Sequence, residues 1–262
     1  MTATSLPSPA KVWEAAAHWS QVDFISDLHL APELPKTLAT LRQYLSNTHA
    51  DALVILGDLF EVWVGDDARH SDFEAEVTAL LMGAGQQRTV AFMAGNRDFL
   101  LGTEMAQASG MRLLDDPAVL VAWGQRILLT HGDAWCLADE PYQQFRRLVR
   151  SPEWQREFLS RPLNERRAQA RSIREESQRR KQSSQPIDWC DIDFPTALQA
   201  LRQSRCDILI HGHTHRPSSE SVATGLVRHV LSDWDMDCAQ APRAEVLQWR
   251  PDGIRRRALL LP

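Results

Sequence analysis

The chain has 262 residues and 44% hydrophobic content, enough for one large domain with its own core or for a domain plus an insertion. A net charge of −5 and a pI near 6.0 argue against a general nucleic-acid binder, which is usually basic. No apolar run has the length of a bilayer span, and the N-terminus lacks a signal-peptide layout. The cysteines at 136, 190, 206 and 238 form no CxxC pair, so a cytoplasmic protein with reduced thiols is expected.

Residues 1–20 carry prolines, alanines and two tryptophans but no clear strand, the composition of a partly disordered extension. The remainder, 21–262, reads as one domain. Residues 22–26 read as a short buried strand ending at Asp27, and Leu38, Leu41 and Leu45 then recur at helical spacing. Residues 52–56 form a second apolar strand, ending at Gly57-Asp58, and Phe73, Val77, Leu80 and Leu81 mark a second helix. Residues 89–93 form a third strand before Gly95-Asn96, and 99–108 continue helically until Gly110. This βαβαβα alternation implies parallel strands with crossover helices.

The rhythm then changes. Residues 118–123 and 126–130, separated by Gly124-Gln125, read as an antiparallel pair. Residues near 139–203 are mostly helical and rich in Arg, Gln and Glu. A buried strand at 207–210 leads into His211, and 227–231, 244–249 and 254–260 read as short strands. The pattern predicts an α/β/β/α sandwich with the 139–203 helices laid over one end as a cap.

Five polar blocks punctuate this pattern: Asp27-Leu28-His29, Gly57-Asp58, Gly95-Asn96-Arg97-Asp98, His131-Gly132-Asp133 and His211-Gly212-His213-Thr214-His215. In open α/β sheets ligands bind beyond the carboxyl ends of the strands. The fold therefore brings the blocks to one rim. Asp, Asn and His are the oxygen and nitrogen ligands that Mn, Fe or Zn accept. The spacings Asp27-x-His29 and His213-x-His215 place two side chains on one face if each segment is extended. Asp58 has two oxygens and can bridge two cations. A metal pair roughly 3.5–4 Å apart would polarise a phosphoryl oxygen and lower the pKa of a bound water toward about 7. Arg97 can clamp phosphate oxygens. Asp98 and Asp133 are either acceptors behind the ligand histidines or Arg97, or turn caps. His211 is left outside the ligand set as a residue that orients a neighbour.

The series D-x-H, G-D, G-N-x-D, H-G-D, G-H-x-H resembles the calcineurin-like metallophosphoesterases over residues 23–217. The blocks ILGDLFE (55–61), WVGDD (63–67), GNRDFLL (95–101), HGD (131–133) and HGHTHRP (211–217) are more specific. They resemble the UDP-2,3-diacylglucosamine pyrophosphatases of lipid A biosynthesis over residues 22–235, more weakly between 150 and 200. That resemblance implies a four-layer metallophosphoesterase sandwich with a helical cap. It implies one metal on Asp27, His29 and His215, a second on Asn96, His131 and His213, and Asp58 between them. Both ions are expected to be manganese. The implied reaction cleaves UDP-2,3-diacylglucosamine into UMP and 2,3-diacylglucosamine 1-phosphate, with Asp58, Asn96, Arg97 and His131 as catalytic positions.

Implied substrate contacts are Asn96, Arg97, His213, Asp139, Tyr142, Arg174 and Ser177. A gapless register places Lys181 and Ser184 where the family has Asn and Lys, and residues 187–191 also depart from the family pattern. Many relatives carry His where this chain has Arg97. A phosphate-monoester leaving group, with a second pKa of about 6, needs charge neutralisation more than protonation. The implied partners are a lipid-linked nucleotide sugar and the cytoplasmic face of the inner membrane. Neither nucleic acid nor an obligate protein partner is implied.

Within the cap, Phe145, Leu148, Val149, Trp154, Phe158 and Leu159 recur at three- and four-residue steps. They either line an acyl cavity or pack the insertion onto the body. Arginines 161, 166, 167, 171, 174, 179 and 180, with Lys181, form either a solvated face or a contact for an anionic surface or the pyrophosphate. Two other functions compete with the pyrophosphatase. One is a different phosphoesterase, such as a dinucleoside polyphosphate hydrolase or phosphodiesterase. The other is a non-catalytic binding scaffold.

Overall fold

The computed structural model describes residues 10–183 and 190–259, with the backbone alone at 176–178 and 180–183. Among the described residues twelve strands form two six-stranded sheets. In the first sheet β2 (Val22–Ile25), β3 (Ala52–Leu56), β4 (Thr89–Met93) and β5 (Arg112–Leu114) run parallel. Antiparallel β11 (Glu245–Arg250) lies beside β2, and β12 (Gly253–Ala258) closes that edge. The second sheet contains β1 (Lys11–Glu14), β6 (Ala118–Ala122), β7 (Gln125–Thr130), β8 (Ile208–His211), β9 (Ser218–Ala223) and β10 (Leu226–Val230). Its strand order is β1-β6-β7-β8-β10-β9.

Both faces of each sheet are covered, so β3 at the centre of the first sheet is apolar at every position. Strand side chains alternate between faces, and each strand divides its residues accordingly. Ala52, Val54 and Leu56 of β3 point between the sheets with Phe24, Met93, Leu120, Leu129, Ile210 and Trp249. Leu53 and Ile55 point outward with Ile25 and Phe92. That outer face is covered by α1 (Pro35–Asn47), α2 (Asp72–Gly85) and α3 (Thr103–Ser109). On the second sheet Val119, Leu128 and Leu209 point outward and meet Ala197, Ala200 and Leu201 of α7 (Phe194–Ser204). Each buried Leu, Ile, Val or Phe contributes about 1.5–3 kcal/mol by leaving water. The result is the expected α/β/β/α sandwich.

Three helices lie outside these layers: α4 (Glu140–Val149), α5 (Pro152–Leu159) and α6 (Leu163–Ser183). The 139–203 segment therefore divides. Its last helix, α7, packs on the sandwich, and α4–α6 form the overlying part. Most of the arginines on α6 and just before it are internally engaged rather than a free basic face. Arg166 is buried and donates through Nη1 to Asp67 Oδ1 at 2.9 Å. Arg167 reaches Ser71 at 2.8 Å and Glu74 at 2.9 Å, and Arg161 donates to Gln169 at 2.9 Å. The apolar series also divides. Val149 and Phe158 are buried, Trp154 stacks on Phe158 at 4.7 Å, and Phe145, Leu148 and Leu159 are exposed.

Three expectations need correction. The helix anticipated over 99–108 begins only at Thr103. Asp66 accepts the amides of Gly102 at 2.8 Å and Met105 at 3.0 Å and fixes the start there, while 98–101 are held in a turn by Leu101 N donating to Asp98 O. The short edge strand β5 and the polar edge strand β9 lack the apolar alternation that marks a strand. The strandless extension is corrected over the described residues 10–20. There β1 pairs in parallel with β6, and Trp13 and Trp19 are buried edge-to-face at 5.4 Å. Arg112 lies 5.1 Å above the Trp13 ring. Replacing Trp13 by Ala should therefore cost about 3–5 kcal/mol in urea unfolding followed by circular dichroism. A loss below about 0.5 kcal/mol, typical of a surface site, would show that β1 is not part of the folding unit.

Candidate metal centre

All five blocks leave the carboxyl ends of strands: 26–29 after β2, 57–58 after β3, 94–98 after β4, 131–133 after β7 and 212–215 after β8. The seven expected ligands, Asp27, His29, Asp58, Asn96, His131, His213 and His215, come together there. His29 Nε2 is 3.4 Å from His215 Nε2, and His215 Nε2 is 3.2 Å from Asp27 Oδ1. On the other side Asn96 Oδ1 lies 3.0 Å from His131 Nε2 and 2.8 Å from His213 Nδ1. Asp58 stands between the two groups. Its Oδ2 is 3.9 Å from His29 Nε2, and its Oδ1 is 3.7 Å from His131 Nε2.

The route to this convergence is not the extended one expected from the D-x-H and H-x-H spacings. Asp27, His29, Asp58, His213 and His215 all have left-handed backbone, with φ of 55°, 49°, 52°, 67° and 52°. Side chains beyond a strand end no longer alternate. Left-handed conformations are costly for non-glycine residues, by about 1–3 kcal/mol each, and cluster at functional sites. Asp and His tolerate them better than most residues.

Close backbone approach accounts for the glycines. A Cβ on Gly95 would lie 2.1 Å from Asp58 Oδ1, and one on Gly57, itself at φ 85°, would lie 2.4 Å from His131 Nδ1. Asp98 is neither an acceptor behind a histidine nor a partner of the Arg97 side chain. Its buried carboxylate accepts the amides of Gly95 at 2.9 Å, Asp58 at 3.3 Å, Leu59 at 2.7 Å and Phe60 at 3.4 Å. Asp27 Oδ2 accepts Ser26 Oγ at 2.6 Å and the His213 amide at 2.9 Å, and so ties the two sheets together.

The imidazoles are oriented from behind. His131 Nδ1 lies 2.8 Å from Leu56 O and donates its proton there, so Nε2, 3.0 Å from Asn96 Oδ1, is the nitrogen turned toward the other ligands. Once Nε2 loses its own proton, two acceptors face each other there, an arrangement that calls for a cation between or beside them. His29 Nδ1 sits 3.1 Å from Glu61 Oε2, and His215 Nδ1 sits 3.5 Å from Asp233 Oδ2. Carboxylates behind ligating histidines fix the tautomer and raise ligand basicity. This donor set fits divalent transition metals. Among the described residues Asp27, His29 and His215 form one candidate cluster, and Asp27, Asp58 and His131 form another.

Glu61 and Asp233 were not singled out from the sequence. A signal existed for Asp233, which follows the end of a strand by three residues, close to the two-residue step of Asp27 and Asp58. Glu61 carried none beyond its place inside ILGDLFE. His211 is buried with Nδ1 2.8 Å from Gly212 O, and burial lowers its pKa to about 4, so it is a neutral residue of the turn.

The expected substrate contacts lie around the same rim. Arg97 donates its amide to Asp58 Oδ1 at 2.8 Å, and its guanidinium Nη1 is 3.7 Å from Glu61. Asp139 caps α4 by accepting the Tyr142 amide at 3.0 Å. The Tyr142 hydroxyl donates to Asp133 at 2.6 Å, and its ring is 6.1 Å from that of His213. Arg146 also donates to Asp133, at 2.7 Å, so Asp133 moors α4 and is no simple turn cap. Arg174 Nε lies 2.8 Å from Glu61 Oε1. Ser177 and Lys181 are on α6, with side chains outside the described residues, and Ser184 lies outside them altogether.

Charge separates the histidines. Burial opposes the charged form of His131, but Asp58, Asp27 and Asp133 outweigh it and push the pKa up to about 9. Burial and the nearby His131 pull His213 down to about 3. Burial would raise Asp27, but His215, His131 and His29 hold its carboxyl far below the usual range. Metal ligation needs a neutral imidazole, so at neutral pH an ion must expel the His131 proton. Mn(II) affinity should therefore rise by up to about tenfold per pH unit between about pH 7 and 9 and level off above. Calorimetry in buffers of different ionisation enthalpy measures both affinity and proton release. A pH-independent affinity with no released proton would contradict the raised His131.

Comparison with known proteins agrees with this chemistry. The calcineurin-like phosphoesterase family profile matches residues 20–217. The UDP-2,3-diacylglucosamine hydrolase of Chromobacterium violaceum is 44% identical over 220 residues, covering 81% of this chain and 90% of that protein. Its counterpart in Bordetella pertussis is 40% identical over 237 residues, covering 88% of this chain and 92% of that protein. The protein of that name in Stenotrophomonas maltophilia strain K279a is 40% identical over 244 residues, with 89% and 98% covered. With its ligand blocks converged on one rim, the chain belongs to the calcineurin-like phosphoesterases and, within them, to the family of the UDP-2,3-diacylglucosamine hydrolases.

Proposed function

We propose that the protein hydrolyses the pyrophosphate of UDP-2,3-diacylglucosamine, giving UMP and 2,3-diacylglucosamine 1-phosphate, with two Mn2+ ions. The observation that carries this reading is Asp58, whose oxygens lie 3.9 Å from His29 Nε2 and 3.7 Å from His131 Nε2 in two separate ligand groups. Relatives at 40–44% identity bear the name of this activity. Asp27, His29 and His215 would hold one ion and Asn96, His131 and His213 the other, and a divalent pair held there would supply an activated water and polarise the attacked phosphoryl group. Glu61, Leu56 and Asp233 keep the protonated imidazole nitrogens turned away from the ions.

Arg97 neutralises the charge that develops on the leaving phosphate monoester. Its amide is fixed on Asp58, so the residue is held at the ligand that serves both ions. Asn96 and His213 lie at the phosphate. Tyr142 and Arg174 contact the sugar and phosphates from the cap, with Asp139 holding the first turn of α4, and Ser177 and Lys181 are further substrate-binding positions by sequence. Phe145 and Leu148 are one turn apart on α4 and exposed, as are Leu137 and Leu159. They offer apolar surface for acyl chains entering from the cytoplasmic face of the inner membrane. Val149 and Phe158 are committed to packing and do not line that path. No helix among the described residues is long and apolar enough to cross a membrane.

Manganese-loaded protein should release UMP rather than UDP, as separated by chromatography. Replacing Arg97 by Ala should lower kcat by about 10²–10³-fold, and Asp58→Ala should abolish turnover and lower bound metal. Turnover of a dinucleoside tetraphosphate with none of the acylated sugar nucleotide would replace this reading with the general phosphoesterase. Full activity in Asp58→Ala would remove the metal centre from the mechanism.

A further inference from the structure

Glu61 stands where the cap meets the ligand set. Its two oxygens have different partners. Oε2 is 3.1 Å from His29 Nδ1, on the far side of the ring from the ligating Nε2. Oε1 is 2.8 Å from Arg174 Nε on α6 and 3.7 Å from Arg97 Nη1. The Glu61 side chain is only 12% exposed, whereas Arg174 is 42% exposed and touches no ligand residue among its described contacts. The carboxyl is held low, as burial is outweighed by His29, Arg97 and Arg174. It is an anion between an imidazole and two guanidiniums.

We propose that Glu61 is a positioning residue that couples loading of the His29 metal position to docking of helix α6. The inference rests on the metal-ligand role assigned above to His29 and needs no substrate. When His29 is held by an ion through Nε2, the ring is fixed and its Nδ1–H is fixed with it. The carboxylate, in ion-pair contact with this nitrogen at 3.1 Å, keeps its second oxygen presented to Arg174. When the ring is free to turn, the carboxylate loses one of its two anchors and α6 loses a fixed ion-pair partner. Among the described residues the other attachments of α6 lie in its first two turns, through Arg166, Arg167, Gln169 and the packing of Leu163 and Ala170, and Arg174 secures the helix one turn farther along.

Coupling of this kind is reciprocal. Whatever factor the metal contributes to docking, docking contributes to metal affinity. Hydrogen exchange over residues 163–175, with and without Mn(II) and without substrate, reads one side, and Mn(II) titration reads the other. In the wild type Mn(II) should slow exchange in this segment by at least about fivefold. Glu61→Gln should lose that effect and bind Mn(II) about 10–100-fold more weakly, as expected when the partner behind a ligating histidine is removed. Arg174→Ala keeps Glu61 and all seven ligands. It should lose the Mn(II)-dependent protection and, with it, about the same factor in Mn(II) affinity.

A merely structural Glu61 would leave the Mn(II) affinity of Arg174→Ala at the wild-type value, and that result would overturn the proposal. So would an unchanged exchange rate over 163–175 when wild type takes up Mn(II). Should Glu61→Gln fail to fold, the Arg174→Ala pair of measurements decides alone. Failure of the enzyme to cleave the sugar nucleotide would remove the substrate assignment and leave this coupling standing, because neither measurement involves turnover.

Discussion

Asp98 is fully buried, and its two oxygens accept four backbone amides from the loops that follow β3 and β4. Those loops supply Asp58 and Asn96. An unpaired buried carboxylate is costly, and a paired one is rigid. Asp98 therefore sets how far apart Asp58 and Asn96 stand. Burial and the neighbouring Asp58 push its pKa up to about 7, against the pull of the amides and His131. That upward push is first the cost of burying the carboxylate and then of placing Asp58 beside it. A divalent cation beside Asp58 would offset the second part. The same arrangement explains Gly95, since any side chain there would occupy the position of Asp58 Oδ1.

The second constraint joins the sheets. Three ligand loops hang from the first sheet and two from the second, and a metal pair requires both rims at ångström precision. Two cross-sheet hydrogen bonds set their spacing: His213 N to Asp27 Oδ2 at 2.9 Å and His131 Nδ1 with Leu56 O at 2.8 Å. Each uses a residue of the ligand set, so the site clamps the sandwich as the sandwich builds the site. The left-handed backbone at five ligand positions fits this picture. Strain persists where packing around it over-determines the conformation, and here fully buried apolar layers lie on both sides of each sheet.

Much of this was legible in the residues. Strands β3 and β4 were readable to the residue because a strand covered on both faces is a short unbroken apolar run. The seven candidate ligands stood out because each lies within four residues of the end of a strand. What escaped had physical causes. Edge strands β5 and β9 bury little and carry no pattern, and β1 is made by Trp13 and its long-range pairing with β6. The start of α3 is set by Asp66, a carboxylate about forty residues upstream of the amides it holds, which local periodicity cannot report. The left-handed turns were invisible because the spacing D-x-H looks alike in a strand and in a turn. Glu61 and Asp233 act through a partner that is distant in sequence, on His29 and His215, and a single chain shows no such pairing.

The specific blocks WVGDD and GNRDFLL gain a physical reading from the same contacts. Asp66 fixes the start of α3, Asp67 receives the buried Arg166 of α6, and Asp98 clasps the ligand loops. Phe99 packs on Trp154 of α5 at 6.2 Å and lies beneath the guanidinium of Arg150, which in turn donates to Gly95 O at 2.8 Å. These residues are therefore the joint between a generic two-sheet phosphoesterase body and its helical cap. A phosphoesterase without the cap needs Asp98 but has no use for Asp67 or Phe99. The cap is moored at both ends of the ligand row, by Asp133 to α4 beside His131 and by Glu61 to α6 beside His29. An overlying element fixed to Asp133 beside His131 and to Glu61 beside His29 can move little without disturbing the row of candidate ligands, so the overlying helices and that row share one mechanical frame.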